Sequence, residues 1–359
     1  LFAGPSLIAN KQGDTLSYII LANMLCYMPT LGLSNTVAFT NIKDRNDFPA
    51  LRVWGTIGWI VAGLVVGGLG MSSSPKIFTM AGAAGVLLGL LCFALPKTPP
   101  PSRDKPISIG TLFMVDALKL MTSIPFAVFI ICSMLVCIPL AYYYAYTAVY
   151  LPQIGFQATA STMALGQISE IFFMLLVPFF FRKLGVKVMI LIGMLGWVAR
   201  YALFAMGAPD QVVWMILAGV ILHGVCYDFF FVTGFMYTDN KAPKEVRGQA
   251  QALLVFFTQG LGMFFGYWIA EIKFEALRQQ SDALSAAIET TTFGFWESFG
   301  KMFLAQKPEV DASITQAAME GWKTFWMFPS IMALVVAGIF FVAFFDKGSS
   351  EEISTKEQD

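Results

Sequence analysis

Three side chains that could contact a ligand lie on one face of an apolar stretch near residue 50. In DFPALRVWGTIGWI, Arg52, Thr56 and Trp59 are spaced i, i+4 and i+7, which is one stripe of an α-helix. A cation, a hydroxyl and an aromatic ring on one stripe suit a polar ligand that contains a planar ring. The alternative for Arg52 is that its long side chain reaches back to the cytoplasmic headgroups.

A second apolar stretch carries an amide and a carboxylate. MALGQISEIFFML places Gln167 and Glu170 at i, i+3 in the middle of the stretch. A carboxylate at that depth needs a partner, a proton or a water-filled cavity, because an unpaired charge in hydrocarbon is costly. We expect both side chains to face a cavity, with an internal structural pair as the alternative.

A third stretch, ILHGVCYDFFFVTGFMY, combines His223, Tyr227 and Asp228. Burial and nearby charge set the protonation of a carboxyl, so a mid-membrane aspartate in a cavity that opens to either side can gain and lose a proton. We therefore predict Asp228 as a proton-coupling residue. The alternative is a permanent pair with Arg52 or Arg200. His223 is either a packing histidine or part of a proton relay, and we place it with Tyr227 among the candidate substrate contacts.

Tyrosines are concentrated in CIPLAYYYAYTAVYL. They cover every face of a helix, so some must point inward, where rings and hydroxyls suit stacking on sugars or bases. Tyr144 is the candidate substrate contact from this group. Arg200, in GWVARYALFAMG, lies toward the end of its stretch, where snorkelling or an interhelical pair is expected.

The composition indicates the solvent in which these stretches fold. Of 359 residues, 57% are hydrophobic and 13% charged, with a mean hydropathy of +0.68. Soluble domains carry about 25% charged residues, so this chain is expected to be an all-α polytopic membrane protein. The net charge of zero argues against nucleic acid as a partner. One histidine and five cysteines without metal-ligand spacing predict no metal, no cofactor and no enzymatic role.

A spanning helix needs about 20 mostly apolar residues. The sequence contains nine such runs, at about 14–40, 50–70, 76–96, 124–151, 160–181, 187–207, 211–238, 249–271 and 322–345.

Two long polar segments divide these runs. We expect residues 1–96 to form part of an N-terminal helical bundle and the Pro-rich residues 97–123 to form a cytoplasmic connector. Residues 124–346 are expected to form a six-helix bundle, followed by a cytoplasmic tail, 347–359. Within that bundle, the segment at about 275–321 is expected to form short amphipathic helices in a periplasmic insertion.

Loop charge predicts the orientation. Basic residues occur in every second break, for example in FRKLGVK and DNKAPKEVRG, and the short intervening breaks near 71–75, 152–159 and 208–210 carry none. Basic loops stay cytoplasmic, so the C-terminus is predicted to be cytoplasmic.

The predicted connector separates three helices from six, so the two groups differ in number. Two six-helix halves joined by a cytoplasmic loop are the major facilitator plan, in which the substrate site lies between the halves. We therefore expect a major facilitator fold truncated to about nine transmembrane helices, in which the N-terminal half lacks its first three. The first residue is Leu, and LFAGPSLIAN resembles the end of a helix rather than a signal peptide. A native nine-helix protein is the alternative.

Several of these stretches together resemble one family. YMPTLGLSNTVAF, DFPALRVWGTIGWI, GQISEIFFMLLVPFFFRKLGVK, WVARYALFAMG and HGVCYDFFFVTG are similar in order and spacing to the nucleoside:proton symporter family of the major facilitator superfamily, the bacterial nucleoside permeases. The resemblance implies a twelve-helix parent and proton-driven import of nucleosides across the bacterial inner membrane by alternating access. We expect a monomer in contact with lipid and protons.

The resemblance also implies roles for individual residues. Arg52, Thr56, Gln167, Glu170 and Asp228 match polar residues of the family's central pocket. Among these, Asp228 matches the coupling carboxylate and Glu170 a ribose contact.

The chain departs from the family where base contacts are expected. Ala141 and Tyr144 replace amide side chains, while His223 and Tyr227 replace other aromatic residues. The substrate could therefore be a different nucleoside or a related glycoside. A proton symporter for a sugar or another small polar metabolite is the alternative within the same class. A membrane receptor or scaffold is disfavoured by the cost of the buried charges.

Overall fold

The computed structural model describes residues 1–68, 74–99, 110, 114–289 and 293–345. Within these residues the chain is helical, without a β-strand, and one isolated antiparallel bridge joins Phe156 to Ala305. Six helical runs are long and apolar enough to cross a bilayer. These observations confirm the predicted all-α class with several apolar spans, whereas the count of nine spans stays a prediction.

The α-helices are labelled in chain order. They are α1 Gly4–Ala9, α2 Gly13–Asn41, α3 Phe48–Gly68, α4 Lys76–Cys92, α5 Val115–Leu118, α6 Ile124–Ile154, α7 Thr159–Gly207, α8 Val213–Ile221, α9 His223–Tyr227, α10 Thr233–Lys241, α11 Arg247–Val255, α12 Met263–Ala287, α13 Phe295–Gly300 and α14 Ala312–Ala343. Part of the predicted connector (100–109 and 111–113) and the whole predicted tail (347–359) lie outside the described residues.

Helix α7 joins two of the predicted spans. Its 49 residues, at about 1.5 Å each, would be more than twice as long as the roughly 30 Å hydrocarbon core is thick. The helix is broken at Gly185, where φ is 70° and ψ is 173°. Glycine adopts this backbone without the steric penalty of a Cβ. The break falls between the predicted helices 160–181 and 187–207, so α7 consists of two helical stretches that meet at Gly185.

The predicted helices 211–238 and 249–271 are not continuous α-helices. The first consists of α8, α9, a π-helical segment over Asp228–Val232, and α10. The second is α11, a π-helical segment over Phe256–Gly262, and α12. Periodicity of apolar residues does not predict π segments, which often occur at functional sites.

The core lies between α6, α7, α12 and α14, which pack against one another. Its largest fully buried side chains are Arg200 and a set of aromatic residues that includes Trp197, Trp322, Trp326, Tyr150 and Tyr201. Helices α2 and α3 lie against this bundle, because α2 contacts α11 and α3 contacts α7. The contact between α3 and α7 places the predicted ligand stripe opposite the two predicted carboxylates.

The segment at about 275–321 contains one short helix, α13, and its two ends are extensions of longer helices. Helix α12 continues as one piece to Ala287, and α14 already begins at Ala312. The Gln153 amide holds these extensions together, since its nitrogen donates to the Ser281 hydroxyl at 2.8 Å and its oxygen accepts from Trp322 at 2.6 Å. Asp311 caps α14, and hydrogen bonds from Ser313 lower the pKa of the Asp311 carboxyl. Buried polar contacts therefore hold the helices on both sides of this segment together.

Candidate functional site

A cavity of about 630 Å³ opens between the first helices and the C-terminal bundle. Helices α2 and α3 form one wall, and α6, α7, α9 and the second π segment contribute to the other. All eight predicted substrate contacts line this cavity: Arg52, Thr56, Trp59, Tyr144, Gln167, Glu170, His223 and Tyr227. The structure thus brings these residues together, and their contact with a substrate stays a prediction.

The start of α3 is fixed by aromatic packing. The Phe39 ring near the end of α2 stacks on Phe48 with a centroid distance of 4.2 Å, and Phe48 is buried. Pro49 follows as the second residue of α3, a position where proline costs no helical hydrogen bond. This packing sets the register in which Arg52 and Thr56 face the cavity.

The two polar members of the α3 stripe reach the opposite wall. The buried Thr56 hydroxyl donates to Glu170 Oε1 at 2.6 Å. The Arg52 guanidinium carbon lies 6.0 Å from the centroid of the Tyr227 ring, within reach of a cation–π interaction. Arg52 therefore extends across the cavity in this structure instead of back to the headgroups. Trp59 also lines the cavity, but 67% of its surface is exposed, so it lies at the rim.

Glu170 is the meeting point of the two walls. Besides Thr56, its second carboxylate oxygen lies 3.6 Å from His223 Nε2. Gln167 lies one helical turn earlier on α7 and lines the same wall. Glu170 thus combines the two arrangements that the sequence left open, because it faces the cavity and is held by internal partners.

Asp228 lies behind the cavity and does not line it. Its side chain is 0% exposed, and within the described residues neither carboxylate oxygen has a hydrogen-bond partner. Glu170 and Arg52 are the charged groups close enough to act on it electrostatically. The expected alternative, a permanent hydrogen-bonded pair with Arg52 or Arg200, is therefore not what this structure shows. Asp228 opens the first π segment, where the helical hydrogen-bond pattern changes.

Aromatic rings form a column beside these groups. Tyr143 stacks on His223 with centroids 5.4 Å apart, and His223 stacks on Tyr227 at 5.7 Å. Tyr144 is the member of the tyrosine group that lines the cavity, whereas Tyr143 is fully buried. The predicted inward-facing tyrosines therefore include one in the wall and one behind it.

Arg200 makes an interhelical contact, one of the two sequence-based expectations, with a backbone carbonyl as its partner. It is 0% exposed, so it does not snorkel, and its Nε donates to the Gly219 carbonyl at 2.9 Å. A guanidinium can satisfy its donors on backbone carbonyls, an arrangement that residue type and spacing do not reveal.

Two cavity-lining amides were missed from the sequence. Asn35 of α2 and Gln259 of the second π segment both line the cavity. Asn35 is a single buried amide in an apolar helix, which is the signal that could have identified it. Gln259 lies in the FFTQGLG segment, whose π geometry no apolar spacing indicates.

A family model described as the nucleoside H⁺ symporter family matches residues 7–349. The chain belongs to this family. YegT of Escherichia coli (strain K12), provisionally named a nucleoside transporter, is 35% identical over 375 residues, covering 100% of this chain and 80% of YegT. The nucleoside permease NupG of the same strain is 31% identical over 269 residues, covering 70% of this chain and 64% of NupG.

A solved structure agrees with this assignment. A crystal structure of a mutant of the nucleoside transporter NupG superposes with a TM-score of 0.65 at 25% identity, covering 91% of this chain and 76% of that one. Family and relatives confirm the resemblance drawn from the sequence. They are also transporters, as predicted, and not enzymes.

Proposed function

We propose that this chain imports nucleosides across the bacterial inner membrane in symport with protons. The observation that carries the proposal is the cavity in which Arg52, Thr56 and Glu170 meet aromatic rings. Membership of the nucleoside H⁺ symporter family supports it, as do relatives named as nucleoside transporters.

The chemistry of the cavity suits both parts of a nucleoside. Glu170 is a carboxylate acceptor for ribose hydroxyls, and charge-assisted hydrogen bonds are stronger than neutral ones. Tyr144, Tyr227 and the rim residue Trp59 offer rings on which a base can stack. The planar guanidinium of Arg52 offers a fork of donors to carbonyl oxygens of a base. Gln167 and His223 complete the polar wall.

Asp228 is the residue that we assign to proton coupling. Its carboxyl is enclosed and lacks a hydrogen-bond partner within the described residues, so a proton there is not held in place by a fixed pair. Transport would proceed by alternating access, with Asp228 exchanging its proton as the cavity opens to one side and then to the other.

The membrane arrangement is also part of the proposal. Nine spans follow if the two stretches of α7, divided at Gly185, each cross the bilayer and if α3 and α4 are counted as spans. Residues 1–96 and 124–346 then belong to the two bundles of a major facilitator fold. The C-terminus is cytoplasmic, and the segment at about 275–321 is periplasmic. A monomer is proposed, since both walls of the cavity are lined by described residues of a single chain.

The positions at which the family carries amide side chains for base contacts, here Ala141 and Tyr144, do not identify the substrate. Ala141 is fully buried and offers no polar atom, and Tyr144 lines the cavity instead of an amide. A nucleoside with altered base contacts, or a related glycoside, fits this lining.

A competition panel tests the proposal. The full-length protein that contains this chain is reconstituted into vesicles, and uptake of labelled uridine is measured with and without an inward pH gradient. Unlabelled uridine, adenosine and xanthosine are expected to compete, and collapse of the gradient is expected to abolish accumulation. If glucose competes and nucleosides do not, the sugar symporter is the correct function. Accumulation of uridine that does not depend on the pH gradient would contradict proton symport.

A further inference from the structure

The helix that carries His223 and Asp228 is interrupted just before His223. Helix α8 ends at Ile221, α9 begins at His223, and Leu222 between them forms a turn. Backbone groups on the two sides of such a break lack part of their helical hydrogen bonding, and in a membrane they need other partners. Here two side chains from α7, Ser169 and Arg200, supply them.

Ser169 bridges the break directly. Its hydroxyl oxygen lies 2.6 Å from the Ile221 carbonyl and 2.8 Å from the Gly166 carbonyl, so its single proton is shared between these two acceptors, and the oxygen accepts the Gly224 amide N–H at 3.0 Å. One buried hydroxyl thus connects the last residue of α8 to the second residue of α9. The approach is close, because a Cβ at residue 224 would lie 2.5 Å from the carbonyl carbon of Ser169. Glycine at this position lets α9 lie against α7.

Arg200 holds the other side of the break. Its Nε donates to Gly219 at 2.9 Å, and its Nη2 lies 3.5 Å from the Val220 carbonyl. These are C-terminal carbonyls of α8, where the partial negative charge of the helix end favours a cation. The Arg200 guanidinium carbon also lies 4.1 Å from the centroid of Tyr143, which stacks on His223. Arg200 therefore contacts the backbone before the break and, through Tyr143, supports the ring after it.

Neither the Ser169 nor the Arg200 side chain lines the cavity, but both contact elements that carry cavity-lining residues. Ser169 precedes Glu170 in the chain, and His223 Nε2 lies 3.6 Å from Glu170 Oε2. We propose that Ser169 and Arg200 are positioning residues that hold the α8–α9 break so that His223 meets Glu170 in the cavity wall. The consequence for substrate affinity rests on the proposed function, whereas the consequence for the helix break does not.

Matched variants test the inference. Ser169→Ala removes the bridge, and Ser330→Ala is its control, because Ser330 is a buried serine that donates to the Val198 carbonyl at 2.9 Å, away from the break. Arg200→Lys keeps the charge and loses the planar fork. Its control is Tyr150→Phe, which removes a buried hydrogen bond at 2.8 Å to the carbonyl of Phe204, a residue of the same helix as Arg200.

Two measurements separate positioning from general packing. Hydrogen–deuterium exchange at residues 219–228 is expected to rise about tenfold in Ser169→Ala and Arg200→Lys and to stay unchanged in both controls. The KM for uridine uptake is expected to rise about 3- to 10-fold in the two test variants, with the maximal rate within about twofold of wild type.

The outcomes are distinguishable. Equal exchange in Ser169→Ala and Ser330→Ala would overturn the inference about the break, whatever the transport result. Raised exchange at 219–228 with an unchanged KM would show that the break does not position the cavity wall, which also overturns the proposal. If the wild-type protein transports no nucleoside, the proposed function fails, and the exchange measurement still decides whether Ser169 and Arg200 hold the break.

Discussion

The two carboxylates of the C-terminal bundle lie in contrasting surroundings. Glu170 lines the cavity, accepts a hydrogen bond from Thr56 and lies beside His223. Asp228 is sealed behind the same wall, without a hydrogen-bond partner in the described part of the chain. Hydrogen bonds to a carboxylate are interactions that its protonated form does not make in the same way, so a carboxyl with such partners and one without them respond differently to a change in their surroundings. The contrast suggests that binding and coupling are divided between two residues.

Arg52 connects the two surroundings. It lies on the opposite wall, and its charge acts on both Glu170 and Asp228. A ligand that draws Arg52 toward itself changes the field at Asp228 without touching it. This geometry offers a route by which substrate binding and proton release influence each other.

Replacing Asp228 with Asn tests the coupling side of the comparison and should have the largest effect. The amide cannot exchange a proton, so we expect proton-driven accumulation of uridine to be lost. Downhill exchange of labelled for unlabelled uridine should persist, because the cavity wall is intact. Both are measured in vesicles made with the full-length protein.

The matched control is Asp239→Asn, an acidic residue on α10 that does not line the cavity. Accumulation at the normal rate in Asp228→Asn would assign proton coupling to another group. It would contradict the proposal that Glu170 binds substrate and Asp228 couples protons.

Replacing Glu170 with Gln tests the binding side. The amide retains the size of the side chain and loses the charge that strengthens hydrogen bonds from ligand hydroxyls and from Thr56. We expect the KM for uridine to rise about 10- to 100-fold, with accumulation still dependent on the pH gradient.

Titrating uptake against external uridine at a fixed gradient measures this. Gln167→Glu, which adds a carboxylate one turn away, serves as the companion variant and should not restore affinity in the double mutant. If Glu170→Gln instead uncouples transport while KM is unchanged, the roles of the two carboxylates are reversed.

Replacing Arg52 with Lys should have the smallest effect of the three. The charge remains and continues to act on both carboxylates, while the planar fork and its contact with the Tyr227 ring are lost. A rise in KM of about 3- to 10-fold is expected, with a normal pH dependence of accumulation.

Arg182→Lys is the control, since Arg182 is an exposed arginine far from the cavity wall. An unchanged KM in Arg52→Lys would favour a headgroup-anchoring role for Arg52 over a role in the cavity.

The sequence predicted residues that line the cavity, but it did not predict the helix break and the π segments that position them. Spacing placed Arg52 and Thr56 on one stripe, and the cost of a buried charge singled out Glu170 and Asp228, because both rules depend on residue type and local period alone. The family resemblance and the composition predicted an all-α chain with several apolar spans, which the structure and the NupG structure support, whereas the count of nine spans stays a prediction.

The missed features depend on tertiary contacts. The break before His223 exists because Ser169 and Arg200 satisfy its backbone groups from another helix, and no local pattern encodes that partnership. The same limit explains the π segments and the continuation of α12 to Ala287, which is anchored by Gln153.

The hydrogen bond from Thr56 to Glu170 has a consequence for affinity. The threonine hydroxyl donates to an oxygen that a sugar hydroxyl would also use, so a ligand bound there would either share this oxygen with Thr56 or replace it. Where a ligand replaces Thr56, one hydroxyl is exchanged for another, and the measured affinity would report the difference between the two hydrogen bonds. The same exchange would remove one polar link between α3 and α7, so ligand binding at Glu170 and the contact between the two walls would be thermodynamically coupled.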